Sequence, residues 1–132
     1  FHSFYADGGV FGVYAGTGEK EVGQLMPVIC DEMRKICETV RDDEVARARA
    51  QLKASLMMAL ESTSSRAEQL ARQLMVFGRP LPIPEIIESV EAVDAASVMR
   101  VASRLLASNL TFTTLGPVSK IEDYDAITKR LA

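Results

Sequence analysis

From Val22 to Phe77 apolar residues recur at three- and four-residue steps almost without a break, and this run constrains the fold more than any other feature. Val22, Leu25, Ile29, Met33, Ile36 and Val40 form a first stripe, the expected buried face of a helix in which Pro27 fits only near the first turn or at a kink. Arg41-Asp42-Asp43 interrupts the pattern, with Asp42 or Asp43 as the candidate cap of a second helix bearing Val45, Ala48, Leu52, Leu56 and Ala59. Residues 62–65 (STSS) mark a bend and a new cap before a third helix striped by Leu70, Leu74 and Phe77, which Gly78 closes. A block this continuous leaves no place for the returning strand of a βαβ unit.

The flanks read differently. Residues 1–6 (FHSFYA) and 9–17 (GVFGVYAGT) are rich in aromatic and β-branched side chains, and Asp7-Gly8 between them is a favoured tight-turn pair, so an antiparallel hairpin is expected. In its second strand Phe11, Val13 and Ala15 share a face bulky enough for a core, while Val10, Gly12, Tyr14 and Gly16 share a face that lets another group approach closely. After the helical block, residues 79–84 (RPLPIP) read as an extended connector, with Pro84 opening a short helix over EIIESVEAV. Asp94 is the expected cap of a helix carrying Val98, Val101, Ala102 and Leu105. Asn109 to Leu115 (NLTFTTL) returns to strand alternation, ends at Gly116, and precedes an amphipathic tail. Two strands, several helices, a strand and a helix make an α+β pattern.

The glycines between residues 8 and 23 raise the question of a phosphate-binding turn. Gly16-Thr17-Gly18 is followed by four residues before Gly23, which puts the third glycine two places late for a dinucleotide fingerprint. No Lys-Ser/Thr pair follows Gly23, so the P-loop pattern fails as well. Lys20 and the free N–H groups of the helix start could attract an anion, but Glu19 and Glu21 oppose it. The stretch reads as a strand leaving a hairpin.

The 132 residues are one domain's worth. A net charge of −3 provides no basic excess, which argues against nucleic acid as a partner. No apolar run approaches the ~20 residues that span a bilayer, and no leader pattern opens the chain. Cys30 and Cys37 lie about 10.5 Å apart along a straight helix at ~1.5 Å per residue, beyond disulfide reach, and read as reduced thiols of a reducing compartment.

Little in the chain carries chemistry. The single histidine, His2, reads as an exposed strand residue, and no Ser-His-Asp set or zinc-spaced His/Cys cluster accompanies it. Glu61 and Arg66 flank the STSS bend and read as a cap or salt link of the joint, while Met57, Met58 and Met75 read as core filler. The charges of RDDEVARARAQLK read as a solvated helix face.

The ordered string FYADGGVFGVYAGT, then DDEVARARAQLKASLMMALESTSSRAEQLARQLMVFGRPLP, then VDAASVMRVASRLL and NLTFTTLGPV, resembles the C-terminal domain of the pitrilysin-type zinc peptidases, nearest to their mitochondrial processing peptidase-like branch. The resemblance covers nearly the whole chain, and its specificity lies in the succession of ALES, SSRAEQLARQ and FGR. It implies a metallohydrolase-like α+β domain, an antiparallel or mixed sheet packed against several helices, with residues 1–132 as a single domain truncated at its N-terminus. In such peptidases the N-terminal domain carries an inverted zinc motif, H-x-x-E-H plus a distant Glu, and the motif Glu serves as base for the zinc-bound water. The C-terminal domain binds no metal and closes the other wall of the peptide cavity. No H-x-x-E-H occurs in this chain, so zinc is expected in the N-terminal domain of the parent, and the segment alone is expected to be inactive.

Family members with an active C-terminal wall also place an Arg and, seven residues on, a Tyr in a strand segment just before the position of Phe1. Tyr5 and Tyr14 do not sit in that motif, so neither role transfers. The cavity-lining candidates are therefore Phe1, His2, Ser3, Phe4 and Tyr5, because they continue the substrate-holding segment. The implied partners are the zinc-bearing N-terminal domain, in the same or a partner chain, and a peptide substrate. The isolated segment is expected to self-associate through an unpaired strand edge. The implied compartment is cytoplasmic or like the mitochondrial matrix. The alternative is a non-catalytic relative, a scaffold or partner subunit such as the core proteins of respiratory complexes.

Overall fold

The computed structural model describes residues 1–131. Two short strands, β1 (His2–Phe4) and β2 (Gly9–Phe11), precede six helices: α1 (Val22–Glu38), α2 (Asp42–Ala59), α3 (Thr63–Phe77), α4 (Ile83–Glu91), α5 (Ala95–Leu106) and α6 (Tyr124–Leu131). The class is α+β with helices dominant. The chain forms two compact units. One joins residues 1–12 with 41–94, and the other joins 13–40 with the residues from 95 onward.

In the first unit β1 and β2 pair antiparallel with His2 opposite Phe11, Ser3 opposite Val10 and Phe4 opposite Gly9. The expected hairpin is present, but its connection is the four-residue loop from Tyr5 to Gly8, closed by the Tyr5 N–H donating to the Gly8 carbonyl at 2.8 Å. The second strand is shorter than the alternation of residues 9–17 predicts. It ends at Phe11, and Phe11, Val13 and Tyr14 are exposed rather than part of a core. Alternation describes a half-buried strand only when a packing layer covers one face, and none of the elements of this unit covers that one.

The helices of this unit start and stop on local signals. The Ser62 hydroxyl accepts the Ser65 N–H at 3.3 Å at the start of α3, as the STSS stretch predicts. Gly78 ends α3 at φ 70°, a left-handed conformation that a Cβ penalises, with its N–H on the Leu74 carbonyl at 3.0 Å. The start of α2 corrects the expectation of an aspartate cap. Arg41 is the capping residue, and its N–H donates to Glu44 Oε2 at 3.1 Å. Asp42 and Asp43 fall inside the first turn, where their charge complements the helix dipole, and Asp43 accepts two bonds from the Arg41 guanidinium at 2.9 Å each.

α2 packs on α4, and charge marks the seam. Arg49 Nη1 donates to the Glu91 carbonyl at 2.7 Å and the Val93 carbonyl at 3.3 Å, satisfying acceptors left over at the end of α4, while Lys53 pairs with the Glu91 carboxylate. The inward face of α2 therefore reads Val45, Arg49, Lys53, Leu56, and Leu52 stays half exposed. The basic residues of this helix are not all a solvated face.

In the second unit α1 packs on α5 and α6 around Met26, Cys30 and Ile127, with Ile29, Leu110, Phe112 and Ile121 against them. The buried line of α1 is Val22, Met26 and Cys30; of the predicted stripe Val22 is buried, Ile29 packs against this core, Leu25, Met33 and Val40 are half-buried, and Ile36 is exposed. The C-terminal tail forms α6 as predicted and contributes the fully buried Ile127. Residues 109–115 are not a strand. Leu110 and Phe112 turn inward while Thr111, Thr113 and Leu115 face solvent, so the alternation is present without a neighbour to supply the ladder bonds.

Candidate functional site

The five predicted cavity residues lie together on β1 and its ends. The Phe1 nitrogen donates to the Gly12 carbonyl and the Gly12 N–H returns to the Phe1 carbonyl, both at 2.9 Å, which extends the ladder beyond His2. Because the Phe1–Gly12, Ser3–Val10 and Tyr5–Gly8 pairs are joined by backbone bonds or lie in phase with those that are, His2 and Phe4 direct their N–H and C=O groups away from β2. The Phe1 ring lies over Gly12, where a Cβ would fall 2.2 Å from its Cζ, so glycine is what admits the ring.

On the opposite face the His2 and Phe4 rings stack, centroids 6.3 Å apart and planes 4° apart, and the Arg72 guanidinium of α3 sits 5.9 Å from the Phe4 centroid. Phe1, Phe4 and Tyr5 are all exposed. This is an aromatic strand without charged side chains, in which the backbone groups of His2 and Phe4 take no part in the pairing with β2. It contains a hydrogen-bonding template and stacking surfaces, not a nucleophile.

Two concave surfaces lie elsewhere. In the second unit a cavity of about 530 Å³ is walled by Arg34, Cys37 and Glu38 of α1, Ser103 of α5, and Tyr124 and Thr128 of α6. The polar groups of this wall spend their protons on backbone carbonyls: Tyr124 on Leu110 at 2.8 Å, Thr128 on Tyr124 at 2.9 Å, Ser103 on Met99 at 2.9 Å. In the first unit a cleft of about 450 Å³ runs between α3 and the connector, lined by Arg66, Leu70, Leu81 and Ile83, with the Leu81 N–H held by Gln73 at 2.9 Å. The wall of the first draws on segments far apart in the chain, whereas the second lies within residues 60–83.

Other sequence candidates separate. Glu61 and Arg66 are not joined by an ion pair, and Ser62 alone caps the joint. Met57, Met58 and Met75 are exposed rather than core filler. At the glycine stretch the Glu21 carboxylate lies over Gly18, 2.8 Å from where a Cβ would stand, which puts negative charge at the start of α1. Burial pushes the Cys30 thiol up, and the Arg130–Glu122 pair lies within electrostatic range of it. Hydrogen bonds from Arg41, Arg79, Lys53 and Arg130 hold Asp43, Glu85, Glu91 and Glu122, respectively, below the ordinary carboxylate range.

Among the described residues no three His, Cys, Asp or Glu side chains converge where they could hold a metal ion. His2 stacks on Phe4 on an exposed strand. No helix among the described residues is long and apolar enough to cross a membrane.

Residues 1–52 match the family described as "Peptidase M16 inactive domain". The chain is 37% identical over 131 residues, 98% of its length, to the "Probable mitochondrial-processing peptidase subunit beta, mitochondrial" of Arabidopsis thaliana, of which it covers 25%. It is 30% identical over 96% of its length to the "Mitochondrial-processing peptidase subunit beta" of Mus musculus, covering 26% of that protein. It is 32% identical over 89% of its length to an "Uncharacterized zinc protease" of Rickettsia bellii (strain RML369-C), covering 28% of that protein. The chain thus spans about a quarter of the length of the curated relatives it matches. Residues 1–52 thus match the M16 peptidase domain described as inactive, and nearly the whole chain is similar to processing peptidase beta subunits and a zinc protease.

Proposed function

We propose that residues 1–132 act as one C-terminal, non-metal-binding domain of a processing-peptidase-like zinc metalloendopeptidase, forming the wall of the peptide cavity opposite the zinc-bearing domain. The observation that carries this reading is the likeness over 98% of the chain to a processing peptidase beta subunit. Its metallohydrolase-like packing of a larger sheet on the helices is part of the same proposal. Zinc and the general base would reside in the partner domain, and no step of the chemistry is assigned to residues of this chain.

What this chain contributes is surface. Phe1, His2, Ser3, Phe4 and Tyr5 would line the cavity near its entrance, offering outward N–H and C=O groups to the backbone of an extended peptide and aromatic rings to its side chains. The names of the plant and mouse relatives support a mitochondrial, matrix-like setting, which agrees with two unpaired thiols.

The experiment is complementation. The 132-residue chain is mixed with a zinc-bearing N-terminal domain of the family, and cleavage of an extended peptide is followed. Cleavage that requires both pieces and falls when Phe1 to Tyr5 are replaced by alanine supports the reading. Cleavage by the 132-residue chain alone, or one zinc held tightly by it, sinks it. A complex that forms without cleavage identifies the scaffold or partner-subunit alternative.

A further inference from the structure

We infer that the cavity of the second unit, walled by α1, α5 and α6, is a binding site for a free α-amino acid with an apolar side chain. The inference stands apart from the peptidase reading and rests on the donors, acceptors and charges that this wall presents.

Hydroxyl protons decide most of what the wall can offer. A hydroxyl has one proton to give and two lone pairs with which to accept. Tyr124 gives its proton to the Leu110 carbonyl at 2.8 Å, Thr128 to Tyr124 at 2.9 Å, Ser103 to Met99 at 2.9 Å and Ser108 to Leu105 at 2.6 Å. All four residues line the cavity, so their oxygens face a ligand as acceptors alone. The Glu38 carboxylate adds a charged acceptor, Asn109 a neutral amide, and the cation of the lining is Arg34. A charged ligand that fits this set carries an ammonium for the acceptors and a carboxylate for Arg34. A dicarboxylate would set one anion against Glu38 and the hydroxyl oxygens, and a diamine would set one cation against Arg34.

The spacing of the two charges selects among zwitterions. Arg34 and Glu38 stand one turn apart on α1 and meet loosely, with Arg34 Nη2 4.0 Å from Glu38 Oε1 and both side chains more than half exposed. The other contact of this guanidinium, to the Arg130 carbonyl, is 3.5 Å long. An exposed pair of that geometry contributes little, so a ligand that separates it sacrifices little. In return a carboxylate gripped by the planar guanidinium gains two charge-assisted bonds. An α-amino acid bears both charged groups on one carbon, which suits partners this close, whereas an extended dipeptide sets its termini about 3.5 Å further apart. Leu106, Leu110 and Leu131 supply apolar surface for the side chain. The volume of about 530 Å³ falls in the ~300–1,000 Å³ range of small-molecule sites.

Cys37 lies on the same wall, between Arg34 and Glu38 in sequence, and provides the readout. L-Leucine is titrated into the 132-residue chain at neutral pH while Cys37 alkylation by iodoacetamide and the amide resonances are followed. Saturable protection of Cys37 is expected, with shifts at Ser103, Leu110 and Thr128. N-acetyl-L-leucine lacks the ammonium and L-leucinamide lacks the carboxylate, and each should bind at least about tenfold more weakly because it leaves a charged partner unmatched. Arg34→Met should remove the discrimination against L-leucinamide, and Glu38→Gln that against N-acetyl-L-leucine. Both positions are exposed, so folding should survive either change. Absence of saturable protection and shifts overturns the inference. Equal binding of the two blocked analogues overturns it by marking the cavity as merely apolar, and variants that keep full discrimination overturn it by placing the charged contacts elsewhere.

Discussion

Arg130 grips both carboxylate oxygens of Glu122, Nε at 2.6 Å from one and Nη2 at 2.7 Å from the other, and so ties α6 to the segment that leads into it. The Arg130 carbonyl in turn accepts Arg34 Nη1 of α1 at 3.5 Å. The grip holds the Glu122 carboxyl below its ordinary value of 4.5.

Acid sensitivity follows from that depression. The unfolded Glu122 takes up a proton at a higher pH than the folded one, so its stabilisation is complete above about pH 4.5 and is lost as pH falls through the lowered folded value. Asp43, Glu85 and Glu91 are depressed in the same direction and add to the slope. Thermal melts between neutral pH and pH 3 should show a falling midpoint, less steep in Glu122→Gln than in the unmodified chain. Equal slopes would mean that the pair does not couple to folding.

The buried centre of the second unit should respond most to truncation at Ile127. Its side chain is fully enclosed with Cys30 and Met26, so Ile127→Ala should cost about 2–5 kcal/mol by urea denaturation. Leu115→Ala, at a fully exposed position, should stay within about 0.5 kcal/mol. Similar losses at both positions would contradict the placement of this core.

The two thiols should separate by reactivity. Cys30 is enclosed and its thiol is pushed up by burial, whereas Cys37 borders the cavity of the second unit. Under native conditions iodoacetamide should alkylate Cys37 and leave Cys30, and both should react in denaturant. Mass spectrometry of the peptides distinguishes them, and early labelling of Cys30 would show that α6 opens readily.

Gly78 ends α3 in a left-handed conformation with empty space around it. Gly78→Ala should therefore cost roughly 1–2 kcal/mol through backbone strain alone, without a clash. A neutral substitution in urea denaturation would mean that the end of α3 rearranges.

The helical block, the aromatic hairpin and the connector were legible because their signals are local. A hydroxyl three residues ahead of an N–H, a glycine where the chain turns left, and a proline near a helix start act within a few residues; Ser62 and Gly78 behave as their positions predict, and Pro84 falls one position inside a helix that starts at Ile83. The family resemblance was legible for a related reason: it resides in the order of many such pieces. Phe1 to Tyr5, β1 and its two ends, were placed together by simple adjacency, but their outward and inward parity depended on the pairing of Ser3 with Val10.

Other expectations depended on partners the local pattern does not name. Alternation over residues 109–115 describes a strand only if another strand supplies bonds, and Leu110 and Phe112 instead pack against the helices. The stripe of α1 contains apolar residues at adjacent positions, so Val22, Met26 and Cys30 became the buried line only because α5 and α6 pack there. Arg49 and Lys53 turn from a solvated face into a clamp because the end of α4 offers unpaired carbonyls and a carboxylate. By itself, then, the sequence determined which segments are helical, the cap of α3 at each end, and the family that the chain resembles. Tertiary structure decided which faces are buried and which strands exist, because burial and ladder bonds are properties of pairs of segments, and their energies do not exist until both are in place.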